Sequence, residues 1–218
     1  MNKLRVLDGT SLKIIAAVTM LIDHIGFIFF PGQMVYRAIG RIAMPCFAFC
    51  VAEGCIYTRD RRQYLLRLFL FGLITEIPFD LAFYHRVFYP DYQNIMFTLF
   101  LAVLGITLYE WIPNVYAGSL CLAGCALLAF VFNCDYRFFA VFAVYIYYFL
   151  KKYDLWIREL AGTGFLILSR TKGMHAYVFL SLIPLLLYNG KKGPGLKWFF
   201  YLFYPGHLLV LYLLKRYM

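Results

Sequence analysis

Charged side chains are scarce in this chain of 218 residues: they make up 15% of it, against 63% hydrophobic residues. A soluble domain carries charges at about a quarter of its positions and is roughly half apolar. The shortage of charge therefore excludes an ordinary soluble domain and predicts a polytopic membrane protein. The sequence shows no internal repeat and no low-complexity linker, so we expect residues 1–218 to form a single integral membrane domain.

Several common signatures of enzymes are missing as well. The chain has no G-x-S-x-G elbow for a nucleophilic serine. It also has no glycine loop of the Walker or dinucleotide-binding type. Its six cysteines are not joined to histidines at zinc-site spacing, and most lie in apolar runs, where cysteine packs as a small hydrophobe. We therefore expect no metal site.

Acidic residues are outnumbered by basic ones, 11 to 21, which gives a formal charge of +10. In a soluble protein this balance would suggest nucleic-acid binding. Here the basic residues fall mainly between apolar runs, where they set topology and contact anionic lipid. We expect the lipid bilayer as a partner, and no nucleic acid.

The basic residues are also distributed unevenly between the two sides of the predicted bundle. The richer side holds the N-terminal Lys3 and Arg5 and the stretches "TRDRRQYLLR", "KKYDLWIR" and "NGKKGPGLK". The poorer side holds Arg86, Arg137, Arg170, Lys172, Lys215 and Arg216. Because Lys and Arg are enriched in cytoplasmic loops, this asymmetry predicts an inner-membrane protein with a cytoplasmic N-terminus.

Long apolar runs predict an all-α bundle of about eight to ten transmembrane helices. We expect them at residues 12–30, 35–57, 65–84, 94–112, 116–133, 138–150, 155–170, 174–188 and 198–214.

Ionisable residues interrupt the first two runs. Asp23 and His24 lie inside "LKIIAAVTMLIDHIGFIFFP", although a charge at membrane depth costs a few kcal/mol or more. Arg37 and Arg41 are four residues apart and so share one face of a helix. Two interpretations stay open: an internal ion pair with Asp23 or Glu53, or a functional site in which these charges converge.

Later runs contain further polar candidates. Glu76 and Asp80 flank Pro78, and they either line a polar cavity near the outer surface or end the helix in water. Asn94 opens the fourth run. His207 lies well inside the last run and follows a Pro-Gly pair, which favours a local helix break and a role in a site.

The chemistry available to these residues is proton transfer and acyl transfer. Histidine titrates near neutral pH, so His24 can activate an amine or hydroxyl toward an acyl carbonyl, or carry the acyl group itself. Arginines can stabilise an oxyanion or a phosphate. A cluster in the first basic loop either reflects topology alone or binds the phosphates of a nucleotide-bearing acyl donor; it comprises Arg59, Arg61, Arg62 and Arg67.

Four stretches, taken together and in this order, resemble the TraX family of membrane proteins. They are "LKIIAAVTMLIDHIG", "YRAIGRIAMPCFAFCVAEG", "TRDRRQYLLRLFLFGLITEIPFDLAF" and "YLFYPGHLLVLY". The family is named for the enzyme that N-acetylates pilin in conjugation systems. It is similar to the wider transmembrane acyltransferases, which include the acyltransferase-3 group and the lysosomal glucosaminide N-acetyltransferase.

The resemblance implies a transmembrane acyltransferase-like fold, acetyl-CoA as the acyl donor and His24 as the central catalytic residue. Lys13 stands where acyltransferase-3 proteins carry an arginine early in the first helix. The remaining expected roles are catalytic support by Asp23, Arg37 and Arg41, CoA binding by Arg61, Arg62 and Arg67, and a substrate cavity completed by Glu53, Glu76, Asp80, Asn94 and His207.

We therefore expect a membrane acetyltransferase that moves an acetyl group from cytoplasmic acetyl-CoA to an amine or hydroxyl of an acceptor. Two other functions stay open. Buried His, Asp, Glu and Arg residues also form the proton relays of a proton-coupled transporter. A non-catalytic assembly factor for a secreted or conjugative apparatus would tolerate substitution of His24 and Arg41.

Overall fold

In the computed structural model, residues 5–168 and 175–218 are described, and they form ten α-helices and two 3₁₀-helices without a β-strand. The α-helices are α1 Gly9–Phe29, α2 Met34–Gly40, α3 Ala43–Tyr57, α4 Arg61–Tyr84, α5 Ile95–Trp111, α6 Val115–Val131, α7 Arg137–Phe149, α8 Leu155–Ile167, α9 Leu182–Leu186 and α10 Lys197–Tyr217. The 3₁₀-helices are Leu150–Lys152 and His175–Ser181. The all-α prediction is confirmed for these residues; Lys3, Arg170 and Lys172 lie outside them.

By length and apolar composition, two helical stretches of the described residues can cross a membrane. They are Gly9–Phe29, which is α1, and Met34–Tyr57, which comprises α2 and α3. The other helices are shorter or more polar. The polytopic arrangement therefore stays a prediction.

One face of α4 supports the prediction of a lipid-exposed surface. Leu66, Leu70, Leu73 and Ile77 recur at helical spacing and are each between 44% and 55% exposed. A soluble monomer rarely exposes a continuous apolar stripe of this kind. A helix with such a face needs a hydrocarbon environment or a partner to cover it.

The helices run between two ends of the molecule. At one end, which we call the N-terminal end, the segment before α1 pairs with the segment after α9. At the same end, Arg61 Nη2 at the start of α4 lies 3.1 Å from Glu110 Oε2 near the end of α5. At the opposite end, the segments before α5 and α7 pair through Gln93 and Cys134.

The basic loops of the sequence gather at one of these ends. Residues 58–61 connect α3 to α4, residues 150–154 connect α7 to α8, and residues 187–196 lead into α10. Contacts between Arg158 and Glu53, and between Gly9 and Lys191, bring these connections together at the N-terminal end. Which side of a membrane this end faces stays a prediction.

Short polar side chains begin several helices. The Asp8 carboxylate accepts hydrogen bonds from the backbone N–H groups of Thr10 and Ser11 at 3.0 and 2.8 Å. The bond from Ser11 lowers the pKa of Asp8, which lies just outside the first apolar run. Asn94 caps α5 in the same way, with its Oδ1 3.0 Å from the Met96 nitrogen.

The second predicted span, residues 35–57, is confirmed as a stretch long and apolar enough to cross a membrane, Met34–Tyr57. Its helix is not continuous, however, because the α-helical hydrogen bonding is interrupted at Arg41 and Ile42. Proline at position 45 has no N–H to donate to the carbonyl four residues earlier, and its ring collides with that carbonyl in a regular helix. The Arg41 and Ile42 nitrogens bond to carbonyls three residues back, at Ala38 and Ile39, each at 3.2 Å. In this tighter turn the Arg37 carbonyl accepts a hydrogen bond from Nε of the Arg41 side chain, 3.1 Å away.

Candidate functional site

Asp23 pairs with both arginines of the second predicted span. Arg37 Nη1 lies 2.6 Å from Asp23 Oδ2, and Arg41 Nη2 lies 3.2 Å from Asp23 Oδ1. Gly40 makes this approach feasible, since a Cβ there would lie 2.2 Å from Asp23 Oδ1. The predicted acidic partner is thus Asp23 rather than Glu53, and the cluster carries one more positive than negative charge.

His24, the residue after Asp23, contacts a histidine from the other end of the chain. His24 Nδ1 lies 2.8 Å from His207 Nε2. The two rings are within 7° of parallel, and their centroids are 5.0 Å apart. His207 Nδ1 in turn lies 2.7 Å from the carbonyl oxygen of Phe203. The predicted local helix break beside His207 is wrong, because α10 remains helical through Pro205. The helix brings His207, which is 8% exposed, against α1.

This chain of contacts assigns the tautomers of both histidines when they are neutral. A carbonyl oxygen only accepts hydrogen bonds, so Nδ1 of His207 must carry the proton. Nε2 of His207 then has a lone pair and accepts from Nδ1–H of His24. Nε2 of His24 is left without a proton, with its lone pair available as a base.

Asp23, His24 and both arginines line one cavity of about 220 Å³. Asp135 and Tyr136, from the connection between α6 and α7, complete its polar part. The rest of its wall is largely aromatic and includes Phe27, Phe79, Phe83, Tyr84, Tyr92 and Tyr204. A largely aromatic wall lowers the local dielectric constant, which strengthens the interactions of the few charges that face the cavity.

Tyr136 is a site residue that the sequence reasoning missed. It has a φ of 59°, in the left-handed region that residues with a side chain rarely adopt. Its hydroxyl accepts a hydrogen bond from Arg41 Nη1 at 3.4 Å. The chain has 19 tyrosines, so its composition does not single out this one, and no motif marks it.

Glu76, Asp80 and Asn94 form a second polar group behind the aromatic wall and do not line the cavity. Asn94 Nδ2 donates to the Gly72 carbonyl at 2.9 Å and to Glu76 Oε2. Asp80 is fully buried and accepts from the Tyr89 nitrogen at 2.7 Å. α4 continues past Pro78 to Tyr84, so Glu76 and Asp80 are not at a helix end, and neither of them lines the His24 cavity.

Glu53 lies away from His24, contrary to the prediction that it completes the same cavity. It follows Ala43, the first residue of α3, by ten residues, which is about 15 Å of helix. At the N-terminal end, its carboxylate lies 2.9 Å from Arg158 Nη1 and accepts a hydrogen bond from the Tyr188 hydroxyl at 2.8 Å. The physical reason is helix rise, which separates residues that share one apolar run.

The predicted CoA-binding arginines lie at the N-terminal end, and none of them lines the His24 cavity. Arg61 is engaged by Glu110 and by the Cys55 carbonyl. Arg62 lies over the ring of Trp111, 5.6 Å from its centroid. Arg67 contacts Gln63 one helical turn earlier, at 3.5 Å.

Two further buried charges were not predicted. Arg158 is 6% exposed, and Glu159 is fully buried with no hydrogen-bond partner for either carboxylate oxygen among the described residues. Arg158 belongs to the stretch "KKYDLWIR", which the sequence places among the basic residues of one side of the bundle, and Glu159 falls in the predicted run 155–170. Within residues 5–168 and 175–218, no group of three or more His, Cys, Asp or Glu side chains is placed to hold a metal ion.

Comparison with known proteins identifies the family. The model of the family described as "TraX protein" matches residues 8–215. This chain belongs to the TraX family. Its membership, together with the two candidate membrane-spanning helices, indicates a membrane protein.

The chain is also similar to two curated proteins. It is 30% identical over 227 residues to the probable fimbrial assembly protein FimC, serogroup H1, of Dichelobacter nodosus, covering 92% of each chain. It is 36% identical over 72 residues to the uncharacterized protein RP591 of Rickettsia prowazekii (strain Madrid E), covering 33% of this chain and 27% of that protein. No solved structure matches this chain.

Proposed function

We propose that this TraX-family protein is an integral membrane acetyltransferase. It would move an acetyl group from cytoplasmic acetyl-CoA to an amine or hydroxyl of an acceptor in or across the membrane. The proposal depends above all on the unprotonated Nε2 of His24, which His207 orients beside a cavity that two arginines line. The TraX family's association with pilin acetylation supports the same reaction class.

His24 acts as the general base in this proposal. As the acceptor nitrogen or oxygen bonds to the acetyl carbonyl carbon, its proton passes to Nε2 of His24. The imidazolium then gives this proton to the sulfur as the carbon–sulfur bond breaks, which yields the acetylated acceptor and free CoA thiol. The same lone pair also suits direct attack on the acetyl carbon, with acetyl-histidine as a transient intermediate.

Arg37 and Arg41 face the negative charge that develops on the acetyl oxygen. Arg41 is 4% exposed, and its guanidinium is fixed by Asp23, by the Arg37 carbonyl and by Tyr136. Donors fixed before the reaction stabilise developing charge without a cost of reorganisation. Asp23 is a positioning residue here, because it holds both guanidinium groups.

The size of the cavity suits the reacting ends of the two substrates. At about 220 Å³, it is smaller than the roughly 300–1,000 Å³ of ordinary small-molecule sites. A whole nucleotide does not fit such a space, so the nucleotide part of the donor must lie elsewhere. A polytopic bundle with a cytoplasmic N-terminal end would let the donor enter from that end and reach His24 deeper in the membrane.

A second candidate function is a non-catalytic role in building a surface apparatus. One relative is named a probable fimbrial assembly protein, and this chain covers 92% of its length. Such a role would require the fold and the ion pairs but not the lone pair of His24. It therefore predicts that His24 can be replaced without loss of function.

One experiment on purified protein in detergent distinguishes the acetyltransferase from the non-catalytic role. The measured quantities are the binding of acetyl-CoA and the slow release of free CoA thiol, for the wild type, His24→Ala and His85→Asn. Loss of a general base typically costs 10²- to 10⁴-fold in rate, so we expect His24→Ala to bind the donor but release CoA at least about 100-fold more slowly. His85 is exposed at the end of α4 with a φ of 57°, a conformation that asparagine tolerates, so His85→Asn controls for loss of a histidine.

Full activity in folded His24→Ala protein would contradict the catalytic assignment. Absence of donor binding at millimolar concentration by the wild type would contradict the acetyltransferase proposal as a whole. Elution position in size-exclusion chromatography and helical circular dichroism show whether each variant is folded.

A further inference from the structure

A second cavity lies at the N-terminal end, away from His24. Its volume is about 410 Å³, nearly twice that of the His24 cavity. Three basic side chains from separate segments line it: Arg5 before α1, Lys151 after α7 and Arg158 in α8. Its acidic residues are Glu53 and Asp154.

The buried side chain of Arg158 gives this cavity a charged wall that is fixed by several contacts. Its guanidinium is held by the Tyr147 carbonyl, 2.6 Å from Nε, and by Glu53, 2.9 Å from Nη1. It also lies over the ring of Phe49, at 4.5 Å from the centroid. Nη2 of Arg158 is buried and has no hydrogen-bond partner among the described residues. An unsatisfied buried guanidinium nitrogen favours binding of an anion.

The charges that remain on the cavity wall are mostly positive. Glu53 is neutralised by Arg158 and accepts from Tyr188. This leaves Arg5 and Lys151 against Asp154 alone. Two half-exposed aromatic rings, Tyr57 and Tyr153, at 61% and 51%, also line the cavity and offer flat surfaces. Cations beside flat aromatic rings are the combination that binds phosphates attached to a nucleobase.

α3 connects this second cavity to the first. Phe47 lines the His24 cavity and Glu53 lines the second one. These two residues are six positions apart, which corresponds to about 9 Å of helix. Acetyl-CoA carries its acetyl group at the end of an extended arm, far from its phosphates, so its two ends can occupy two cavities along one helix.

We propose that the cavity lined by Arg5, Lys151 and Arg158 binds the adenosine-phosphate part of the acyl donor. Arg61 Nη1 and Arg67 Nε are also buried without a hydrogen-bond partner among the described residues. Neither residue lines this cavity, so the proposal places the phosphates here rather than at the Arg61, Arg62 and Arg67 cluster that the sequence suggested. This inference depends on the proposed acetyltransferase function, since that function supplies the donor.

The test is equilibrium binding to full-length protein in nanodiscs of zwitterionic lipid. The probes are CoA, adenosine 3′,5′-bisphosphate and pantetheine, which has neither phosphate nor adenine. The variants are Lys151→Ala and Arg5→Ala, both at exposed positions that are not needed for packing. Lys152→Ala is the matched control, because Lys152 is the exposed neighbour of Lys151 but does not line the cavity. Arg62→Ala tests the competing cluster.

Loss of one charge-assisted hydrogen bond corresponds to roughly 10-fold or more in affinity. We expect Lys151→Ala and Arg5→Ala each to weaken the binding of CoA and of adenosine bisphosphate by about this factor. The binding of pantetheine should not change. Lys152→Ala and Arg62→Ala should stay within about twofold of the wild type.

Weakening by Arg62→Ala but not by Lys151→Ala would overturn the inference and leave the acetyltransferase proposal intact. A dependence on Lys151 that appears for phosphatidylglycerol in the nanodisc, but not for adenosine bisphosphate, would assign the cavity to lipid headgroups and also overturn it. If the wild type binds no CoA at all, the proposed function fails first, and this inference fails with it.

Discussion

The two ends of the molecule each hold an acid paired with arginine, but only one of them places histidines beside the pair. At the His24 cavity, Asp23 is shared by Arg37 and Arg41, and histidines stand beside them. At the N-terminal end, a single buried arginine, Arg158, faces Glu53 and lies next to the fully buried Glu159 in sequence.

The difference suggests how the roles are divided. Guanidinium groups held in place beside a proton acceptor suit a reaction in which a proton is removed and an oxyanion forms. A buried pair with its charge matched, and without a histidine, suits binding and structural stability. The predictions below test this division, in order of decreasing effect on acetyl transfer.

Asp23→Asn should have the largest effect of these substitutions. It removes the negative charge that holds Arg37 and Arg41 in position. The buried guanidinium of Arg41 then has no carboxylate partner. Loss of fixed oxyanion donors costs roughly 10²- to 10³-fold in rate, and breaking a buried pair costs about 3–5 kcal/mol of stability. CoA release and thermal unfolding of the same preparation measure both quantities. Unchanged activity would show that the arginines act independently of Asp23.

His207→Ala should have the next largest effect, without abolishing activity. Without the acceptor at 2.8 Å, His24 can adopt the other tautomer or rotate. Orienting partners of histidine are worth about 10- to 100-fold where they have been measured, in metal sites. His207→Gln should lose less activity than His207→Ala, because the glutamine amide can accept a hydrogen bond from His24 and donate one to the Phe203 carbonyl. Equal losses in both variants would mean that His207 only fills space.

The sequence predicted more of the His24 site than of the N-terminal end. Charged side chains in an otherwise apolar run need partners, because an unpaired charge at membrane depth is energetically costly. The sequence alone could therefore place Asp23, Arg37 and Arg41 in one group. His207 was identified from the Pro-Gly pair beside it. Its contact with His24 could not be predicted, because it joins residues 183 positions apart and depends on how α10 packs.

Other features were missed for identifiable reasons. The break between α2 and α3 follows from Pro45, but a long apolar run concealed it. Glu53 lies in the same apolar run as Arg41, and only the rise per residue of a helix shows that the two side chains are far apart along its axis. Arg158 was grouped with the basic residues of one side of the bundle because basic residues at the ends of apolar runs usually lie in water, whereas here it is 6% exposed.

Tyr136→Phe should have a small effect at the His24 cavity. It removes the hydroxyl that Arg41 contacts at 3.4 Å, a long hydrogen bond, so the loss should not exceed about 1.5 kcal/mol, or roughly tenfold in rate. The ring remains, and with it the aromatic wall. Measured rates of CoA release for the two proteins give this difference directly. A loss of 100-fold or more would require a direct role of the hydroxyl in the reaction.

Glu53→Gln should have the smallest effect on the rate of acetyl transfer and a large one on stability. It leaves Arg158 buried without its carboxylate, which costs about 3–5 kcal/mol, yet it does not touch the His24 cavity. We expect a lower midpoint of thermal unfolding and a catalytic rate at saturating donor within about twofold of the wild type. A rate that falls as far as in Asp23→Asn would remove the distinction between the two ends.

The most direct test of the account is the protonation of the His24 ring. Nitrogen-15 NMR of histidine-labelled protein distinguishes protonated from unprotonated ring nitrogens, and His24→Gln and His207→Gln assign the signals among the four histidines of the chain. We predict that, at neutral pH, His24 carries its proton on Nδ1 and leaves Nε2 bare, with His207 also protonated on Nδ1. A proton on Nε2 of His24 would contradict the assignment of that nitrogen as the base.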